Sequence, residues 1–483
     1  MRLSTRKLLD KAFTSIGGFS IILMASALLV ILAPIFFRGA KAFVFRETIE
    51  HRRFVLEEFN RGNPEVMAKE KEQAQAARKV VYEALENYEA ELFEDLPAEP
   101  VAISEAEEDA LSREEKRTRR NARNARKNFM AENEETFERL EELKELLADL
   151  LGPLPGERVP VLPRDQYGAP RWSRAQKIIE QILFVETWDY SDPTAMGNKV
   201  LVPRVDHHQY RGTALEPLFP YVEEHSEDML LPRWKFYLGF LLDKPVDHNM
   251  FGGIYPAVLG TFYLTFMAML FATPFGVIAA IYFVEYAGDS KFVSFLRVCV
   301  STLAGVPSIV FGLFGAAFLI DTIHISPEKS VLAGAITLAL LVLPTVIRSS
   351  EEAIKAVPQT YREAAMGLGA SKWRTITTVI LPAALSGILT GVIISMGRAA
   401  GETAPIIFTA AVSLGEPLNF LELFDQPTPA LPWNIYSIAT EHPEAHKIQH
   451  VQYGMVVTLV GLVLMLNLLA IVTRARVSRK LRG

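Results

Sequence analysis

Long apolar runs alternate with densely charged segments along this chain. The first run, Ile16–Phe37, is long enough to cross a hydrocarbon core of about 30 Å. The other long apolar runs come after residue 250. We therefore predict six membrane-spanning helices, at 16–37 and at about 256–283, 298–320, 330–347, 379–411 and 453–473.

The first apolar run has a second interpretation, a cleavable signal peptide. Ala40-Lys41-Ala42 resembles a cleavage site. However, the run exceeds the roughly 7–15 apolar residues of a signal core. We therefore favour an uncleaved membrane anchor.

The segment between the first two spans, 38–250, has a different pattern. Residues 46–150 are densely charged, and apolar residues recur there at helical spacing, which predicts helices with a narrow apolar stripe. We predict a helical hairpin at about 50–150, joined near 96–104, and then a mixed region at about 151–250 whose fold the pattern does not identify. The two stripes are Val81, Leu85, Tyr88 and Leu92, and Leu140, Leu143, Leu147 and Leu150.

Basic residues set the predicted orientation. The 348–378 loop and the 474–483 tail are rich in Lys and Arg, whereas 412–450 has one Lys and several acidic residues. Because basic loops stay on the cytoplasmic side, both termini, including 1–15, are predicted to be cytoplasmic. The segment 38–250 then lies on the outer, periplasmic side, and 251–473 forms a core of five spans.

Composition excludes several classes. The net charge of −6 and the lack of interleaved aromatic and basic residues argue against nucleic-acid binding. The single cysteine, Cys299, excludes an intrachain disulfide and is interpreted as a packed apolar side chain. The phosphate-binding motif G-x-x-x-x-G-K-[ST] does not occur, so any ATPase must be a separate polypeptide. We predict no catalytic residue, no metal site and no bound cofactor.

Small residues recur within two predicted spans. At spacings of three or four they let membrane helices approach closely. We predict packing seams in the third span, which Pro307 is expected to kink, and in the fifth. The seam positions are Gly305, Ser308 and Gly312, and Gly387 and Gly391.

The fifth span also contains charge. Arg398 and Glu402 are four residues apart, so on a helix they share a face. A membrane-buried arginine costs at least about 2.5–3.5 kcal/mol and needs a partner or a wet cavity. We favour an anion pathway formed by Arg398, Glu402 and Thr403 over a structural ion pair by roughly two to one, on the default that intramembrane charge is functional. The span is expected to bend between Gly397 and Pro405, where the helical ladder is broken.

The 348–378 loop has a specific pattern. Glu363-Ala364-Ala365, then Gly369, then Leu381-Pro382 resemble the EAA signature of importer-type ABC permeases, although Val379 stands where Ile is usual. The wider chain, at about 250–473, resembles the PstA-type permease subunits of bacterial phosphate importers. The stretches that carry this likeness are 252–261, 304–315 and 397–410; 45–245 is not explained by it.

The resemblance implies a fold and a set of partners. The fold would be an all-α membrane protein with six helices of the type I ABC importer permease class, plus an α-rich periplasmic insertion. The partners would be a second, homologous permease in a heterodimer, an ATPase dimer that holds ATP and Mg, and a periplasmic phosphate-binding protein. Docking on the ATPase would use Glu363, Ala364, Ala365, Gly367 and Gly369, and the substrate would pass Arg398 and Glu402.

Alternatives stay open at this point. The chain could import another oxyanion, or act as a membrane-anchored receptor whose insertion senses a ligand. The insertion is hypothesised to dock the binding protein. A helix carrying His442, His446 and His450 could bind a transition metal, but chance spacing is favoured at roughly nine to one because no carboxylate or thiol completes the set.

Overall fold

The computed structural model describes residues 3–94, 96–97, 112–156, 158, 160–189, 198–288 and 290–482. The chain forms two compact units. The spanning unit consists of Met1–Phe43 and Tyr237–Gly483, and the inserted unit is Val44–Phe236. Each is described by itself below.

One long helix, α1, begins the chain at Leu3 and ends at Phe43. Its apolar window, within Lys11–Phe43, meets the length and hydropathy of a membrane span. Pro34 lies inside the helix without ending it. The predicted span 16–37 therefore lies inside a longer helix, and the residues on both sides of it are also helical.

The inserted unit begins and ends in paired strands. Strand β1, Val44–Glu47, pairs antiparallel with β4, Arg233–Phe236, so that Val44 lies opposite Phe236. Between them, β2 (Phe184–Asp189) and β3 (Asn198–Pro203) form a second antiparallel pair. The helices are α2 (Ile49–Phe59), α3 (Pro64–Leu92), α4 (Arg113–Glu132), α5 (Glu134–Leu151), α6 (Trp172–Leu183) and α7 (Leu218–Leu230), with single turns at Pro163–Gln166 and Arg204–His207.

The two predicted apolar stripes share one core. Seven of their eight residues are buried in it, whereas Leu92 is partly buried. Residues of α6 and α7, such as Ile182 and Val222, complete the same core, so α3 and α5 pack as part of a larger helical unit. Burying a leucine contributes roughly 1.5–3 kcal/mol, so this cluster accounts for much of the unit's stability. The predicted joining loop near 96–104 lies mostly outside the described residues.

A buried charge network lies beside that core, which the sequence did not suggest. The Arg78 guanidinium lies 2.9 Å from a Glu50 carboxylate oxygen and donates to the carbonyl oxygens of Leu151 and Met229 at 2.8 and 3.0 Å. Arg52 donates to Glu70 at 2.8 Å. Buried charges need such partners because an unpaired one is costly. The network therefore fastens α2 and α3 to the ends of α5 and α7.

The spanning unit resumes as a helical bundle. Its helices are α8 (Tyr255–Ile281, continued by a π-helical turn Tyr282–Tyr286), α9 (Lys291–Leu303), α10 (Ser308–Phe314, continued to Ile320), α11 (Val331–Lys355), α12 (Gln359–Gly367), α13 (Lys372–Thr375, continued to Ile380), α14 (Leu381–Gly401), α15 (Ala404–Thr409), α16 (Leu431–Thr440) and α17 (Gln449–Arg482). Short helical turns lie at Gly239–Leu242 and Glu422–Phe424. Two short strand pairs join Pro245–Val246 to Phe251–Gly252 and Ala411–Val412 to Thr428–Pro429.

The bundle confirms the predicted all-α membrane class. Among the described residues, five helices are long and apolar enough to cross a membrane, and a bent pair raises the number to six. The five are Lys11–Phe43, Tyr255–Tyr286, Val331–Lys355, Lys372–Gly401 and Gln449–Arg476.

The third predicted span differs from the expected kinked helix. It is broken into α9 and α10, whose axes differ by 103°. Gly305 lies in the intervening turn, and Pro307 directly precedes α10. Because proline has no N–H for the helical ladder and disfavours a helical residue before it, the break occurs here.

The predicted packing residues fall into two groups. Gly312 lies against α15, where an added Cβ would come within 2.9 Å of the Ala404 carbonyl oxygen. Gly387 and Gly391 lie against α11, at Ala353 and Ser349. By contrast, Gly305 is exposed in the turn and Ser308 is the first residue of α10. The packing role of these last two stays a prediction.

Candidate functional site

Helix α14 positions the charged pair. Its close approach to α11 at Gly387 and Gly391 fixes one side of the helix. On another side it faces α17, where Arg474 donates to the Thr390 hydroxyl at 2.7 Å. These contacts position the middle of α14, and Arg398 lies in the last turn of the same helix.

Arg398 and Glu402 lie where α14 ends. The helix stops at Gly401, and Glu402 has extended backbone geometry, with φ −79° and ψ 124°. The Arg398 Nε donates to a Glu402 carboxylate oxygen at 3.2 Å. The sequence predicted a bend between Gly397 and Pro405, and the chain turns inside that interval. The pair therefore bridges a helix end and the following turn, and it does not lie on one continuous helical face.

The pair remains accessible in the isolated chain. The side chains of Arg398 and Glu402 are 45% and 22% exposed. Within the described part of the chain, Glu402 is the only hydrogen-bond partner of Arg398. A guanidinium has five N–H donors, so most of them remain available to a ligand.

Thr403 follows the pair and precedes α15. It is half-buried, and its side chain makes no capping hydrogen bond to that helix. Helix α15 in turn packs against α10, where Gly312 lies close to Pro405 and the Ala404 carbonyl. The three predicted pathway residues are thus brought together at the junction of α14 and α15. The Arg398 guanidinium and the Thr403 hydroxyl offer hydrogen-bond donors, which binding an oxyanion requires. The Glu402 carboxylate lies beside the guanidinium. Their role as a pathway stays a prediction.

The predicted docking loop forms two short helices, α12 and α13, separated by a turn. Helix α12 begins directly after Pro358, and Gly369, with φ +83°, adopts the left-handed conformation that favours glycine. Ala365 is buried, whereas the other predicted docking residues are exposed. Those exposed residues are Glu363, Ala364, Gly367 and Gly369.

Arg362 anchors this loop, a role that sequence reasoning missed. Its guanidinium donates twice to Glu285, at 3.0 and 2.9 Å, and also to the carbonyl oxygens of Val357 and Ile354. Glu285 belongs to the π-helical turn at the end of α8. The sequence offered two signals for this contact. Glu285 follows an apolar run, and Arg362 directly precedes the EAA signature. The ion pair therefore joins α12 to the end of α8.

The three spaced histidines do not share a helix. Helix α16 ends at Thr440 and α17 begins at Gln449, so His442 and His446 lie between them, and only His450 is helical. The helical stripe considered from the sequence is wrong, because the intervening residues form turns. In the described ranges, no group of three or more His, Cys, Asp or Glu side chains is arranged to hold a metal ion.

Comparison with known proteins gives consistent matches. The family model described as "binding-protein-dependent transport system inner membrane component" matches residues 272–483. The phosphate transport system permease protein PstA of Mycobacterium leprae (strain TN) is 38% identical over 232 residues, covering 48% of this chain and 74% of that protein. PstA of Yersinia pestis is 38% identical over 232 residues, covering 48% and 76%.

Among solved structures, an inward-facing MetNI methionine ABC transporter matches with a TM-score of 0.37 and 18% identity, covering 46% of this chain and 94% of that chain. This score is too low to support an argument. The sequence matches span three quarters of the two PstA relatives. The chain therefore belongs to the PstA-type permease family, among the inner membrane components of binding-protein-dependent transport systems.

Proposed function

We propose that this chain is the membrane-spanning permease subunit of an ATP-driven importer of inorganic phosphate. It would form the translocation pathway with a second, homologous permease. The similarity to phosphate transport permeases supports the substrate. The observation that carries the proposal is the accessible Arg398–Glu402 pair at the junction of α14 and α15.

Arg398 supplies the contact with the anion. Its planar guanidinium donates paired hydrogen bonds to two phosphate oxygens, a geometry that lysine does not reproduce. Glu402 holds the guanidinium between transport events. It also accepts a hydrogen bond from the O–H of monoprotonated phosphate, which fully deprotonated sulfate lacks. The pair thereby favours phosphate over sulfate.

The 348–378 loop couples the pathway to separate ATPase subunits, which hold ATP and Mg. The exposed residues of α12 and the following turn, including Tyr361 at 52% and Leu368 at 90% exposure, offer the surface that docks. The ion pair between Arg362 and Glu285, at 2.9 Å, carries the displacement to α8. Transport then follows from movement of the helices that flank Arg398.

From the basic loop and tail we infer that both termini are cytoplasmic and that the segment 38–250 is periplasmic. A periplasmic phosphate-binding protein would deliver the substrate on that side, and the inserted unit is proposed to dock it. Deleting 46–245 and finding unchanged uptake and unchanged complex assembly would count against this docking role.

The test is radiolabelled phosphate uptake in cells that carry Arg398→Ala, Arg398→Lys or the control Arg476→Ala. Arg476 is an exposed arginine of α17, far along the sequence from the pair. We expect uptake to be lost in Arg398→Ala, reduced in Arg398→Lys and retained in the control, with assembly of the complex intact in all three. Normal uptake by an assembled Arg398→Ala complex would refute the pathway.

A further inference from the structure

A cavity of about 450 Å³ lies between the docking loop and the end of α8. Three cationic side chains line it, those of Lys355, Arg362 and Lys372, together with the carboxylate of Glu285 and the side chain of Thr375. These residues come from α8, α11, α12 and α13. The cavity therefore lies where the docking loop meets the ends of α8 and α11.

The charges around the cavity do not balance. Glu285 pairs with Arg362 at 2.9 Å. Glu351 is shared between Lys355, at 2.7 Å, and Arg297, at 3.1 Å.

Lys372 adds a further cation. Its Nζ lies 5.0 Å from the centre of the Tyr286 ring, and it forms no salt bridge within the described ranges. The cavity lining thus has three cations and one carboxylate, Glu285, and Glu351 pairs with Lys355 from outside the lining. The surplus of positive charge favours an anionic ligand.

Thr375 provides a second, independent observation. Its side chain is among the residues that line the cavity, and the residue is only 3% exposed. Its hydroxyl makes no hydrogen bond within the described part of the chain. Buried hydroxyls are nearly always paired, because leaving one unpaired costs free energy. An unpaired buried hydroxyl in the lining of the cavity is a candidate donor to a ligand there.

We propose that this cavity binds a phosphate group, with Lys355, Lys372 and Thr375 as its ligands and Arg362 retained by Glu285. The group is either inorganic phosphate or the phosphate of an anionic phospholipid headgroup. A ligand held by α11 and α13 at once would fasten the two sides of the docking loop to each other and restrain its movement. The site would then regulate coupling, and its existence does not depend on which substrate is transported.

The experiment measures binding to the purified full-length chain in two arms. In the first, broadening of the phosphorus NMR signal reports inorganic phosphate in a neutral detergent. In the second, native mass spectrometry reports phosphatidylglycerol retained from mixed-lipid nanodiscs. Lys372→Gln and Thr375→Val test the site, and Arg374→Gln and Thr378→Val are the matched controls. Arg374 and Thr378 are exposed residues of the same segment, and neither lines this cavity.

All variants are made in the Arg398→Ala background, so that anion binding at the proposed pathway does not contribute. We expect each test variant to weaken binding about ten-fold, as for loss of a charged or buried hydrogen bond, and each control to leave it unchanged. A loss confined to the first arm identifies inorganic phosphate, and one confined to the second identifies a headgroup. Equal binding by test and control variants in both arms overturns the proposal, whether or not phosphate is the transported substrate.

Discussion

Two charged clusters in this chain differ in every physical respect that decides their role. In the inserted unit, Arg78 and Glu50 are buried to 7% and 2% exposure, and Arg78 also holds two backbone carbonyls. In the spanning unit, the Arg398 side chain is 45% exposed, and among the described residues Glu402 is its only hydrogen-bond partner. The first arrangement pairs two of the three Arg78 nitrogens within the fold, whereas the second leaves most of the Arg398 donors available.

This difference fits a structural role for the first pair and the proposed pathway role for the second. Removing one partner of a buried pair leaves an uncompensated charge, so such a pair is costly to break. A pair that lies in a water-filled pathway, as proposed for Arg398 and Glu402, contributes little to stability, because solvent screens it. Mutations in the two clusters should therefore affect different measurements.

The largest effect on stability is expected for Arg78→Ala. It leaves buried Glu50 with only Arg53, at 3.6 Å, and should destabilise the inserted unit by up to about 3–5 kcal/mol. Hydrogen exchange of α3 and α5 in the purified full-length chain measures this loss. The control is Arg117→Ala, an exposed arginine of α4 that should change exchange little. Equal protection in Arg78→Ala and wild type would contradict the structural role.

Gly391→Ala tests the packing that positions Arg398. A Cβ there would overlap the side chain of Ser349, so the helices must separate. We expect a loss of about 1–3 kcal/mol, the usual range for overpacking. Thermal unfolding in detergent measures it. Gly461→Ala is the matched control in α17, where an added Cβ meets nothing within 4 Å, and equal melting temperatures for the two variants would refute the close contact.

The stability of the inserted unit should also decrease as the pH is lowered. Burial, and then the neighbouring Arg204, lower the pKa of His208 to about 4 from an ordinary 6.5. The unfolded chain therefore binds more protons than the folded one between these values, so stability is complete above pH 6.5 and is lost as the pH falls toward 4. At pH 5 the loss is at most about 2 kcal/mol.

Hydrogen exchange at pH 7 and pH 5, corrected for the intrinsic exchange rate, checks this dependence. His208→Gln should make the profile flatter, whereas His207→Gln, at the exposed neighbouring residue, should retain it. If the His208→Gln variant shows the same pH dependence of stability as the wild type, that dependence comes from other groups.

The smallest expected effect is that of Arg398→Ala on stability. An exposed ion pair is worth roughly 0–1 kcal/mol, so melting should be nearly unchanged. Thermal unfolding in detergent tests this expectation. A loss as large as that of Arg78→Ala would show that Arg398 locks helices together.

Much of the spanning unit could be predicted because its apolar runs are local signals. Arg398 stood out for the same reason, as a charge inside an apolar run. The sequence predicted a kink where the structure has a break between α9 and α10. Glycine and proline, here Gly305 and Pro307, are typical of both. The position of Glu402 just beyond α14 depends on where the helix ends, which spacing alone does not give.

The inserted unit was predictable only where its helices have periodic stripes. Pairing of Val44 with Phe236 joins residues that are far apart in sequence, so no local pattern announces it. Glu50 and Arg78 are charged residues in charged helices, and their burial depends on the tertiary fold. For the same reason, no local pattern predicts the cavity beside Thr375, because its lining residues come from four helices.

The most direct test of the central claim combines transport and stability in one variant. Phosphate uptake and thermal unfolding would be measured for Arg398→Ala in the assembled importer, with Arg476→Ala alongside. The account predicts at least a ten-fold loss of uptake with unchanged melting in Arg398→Ala, and neither effect in the control. Retained uptake, or a lost complex, would contradict the assignment of Arg398 to the pathway.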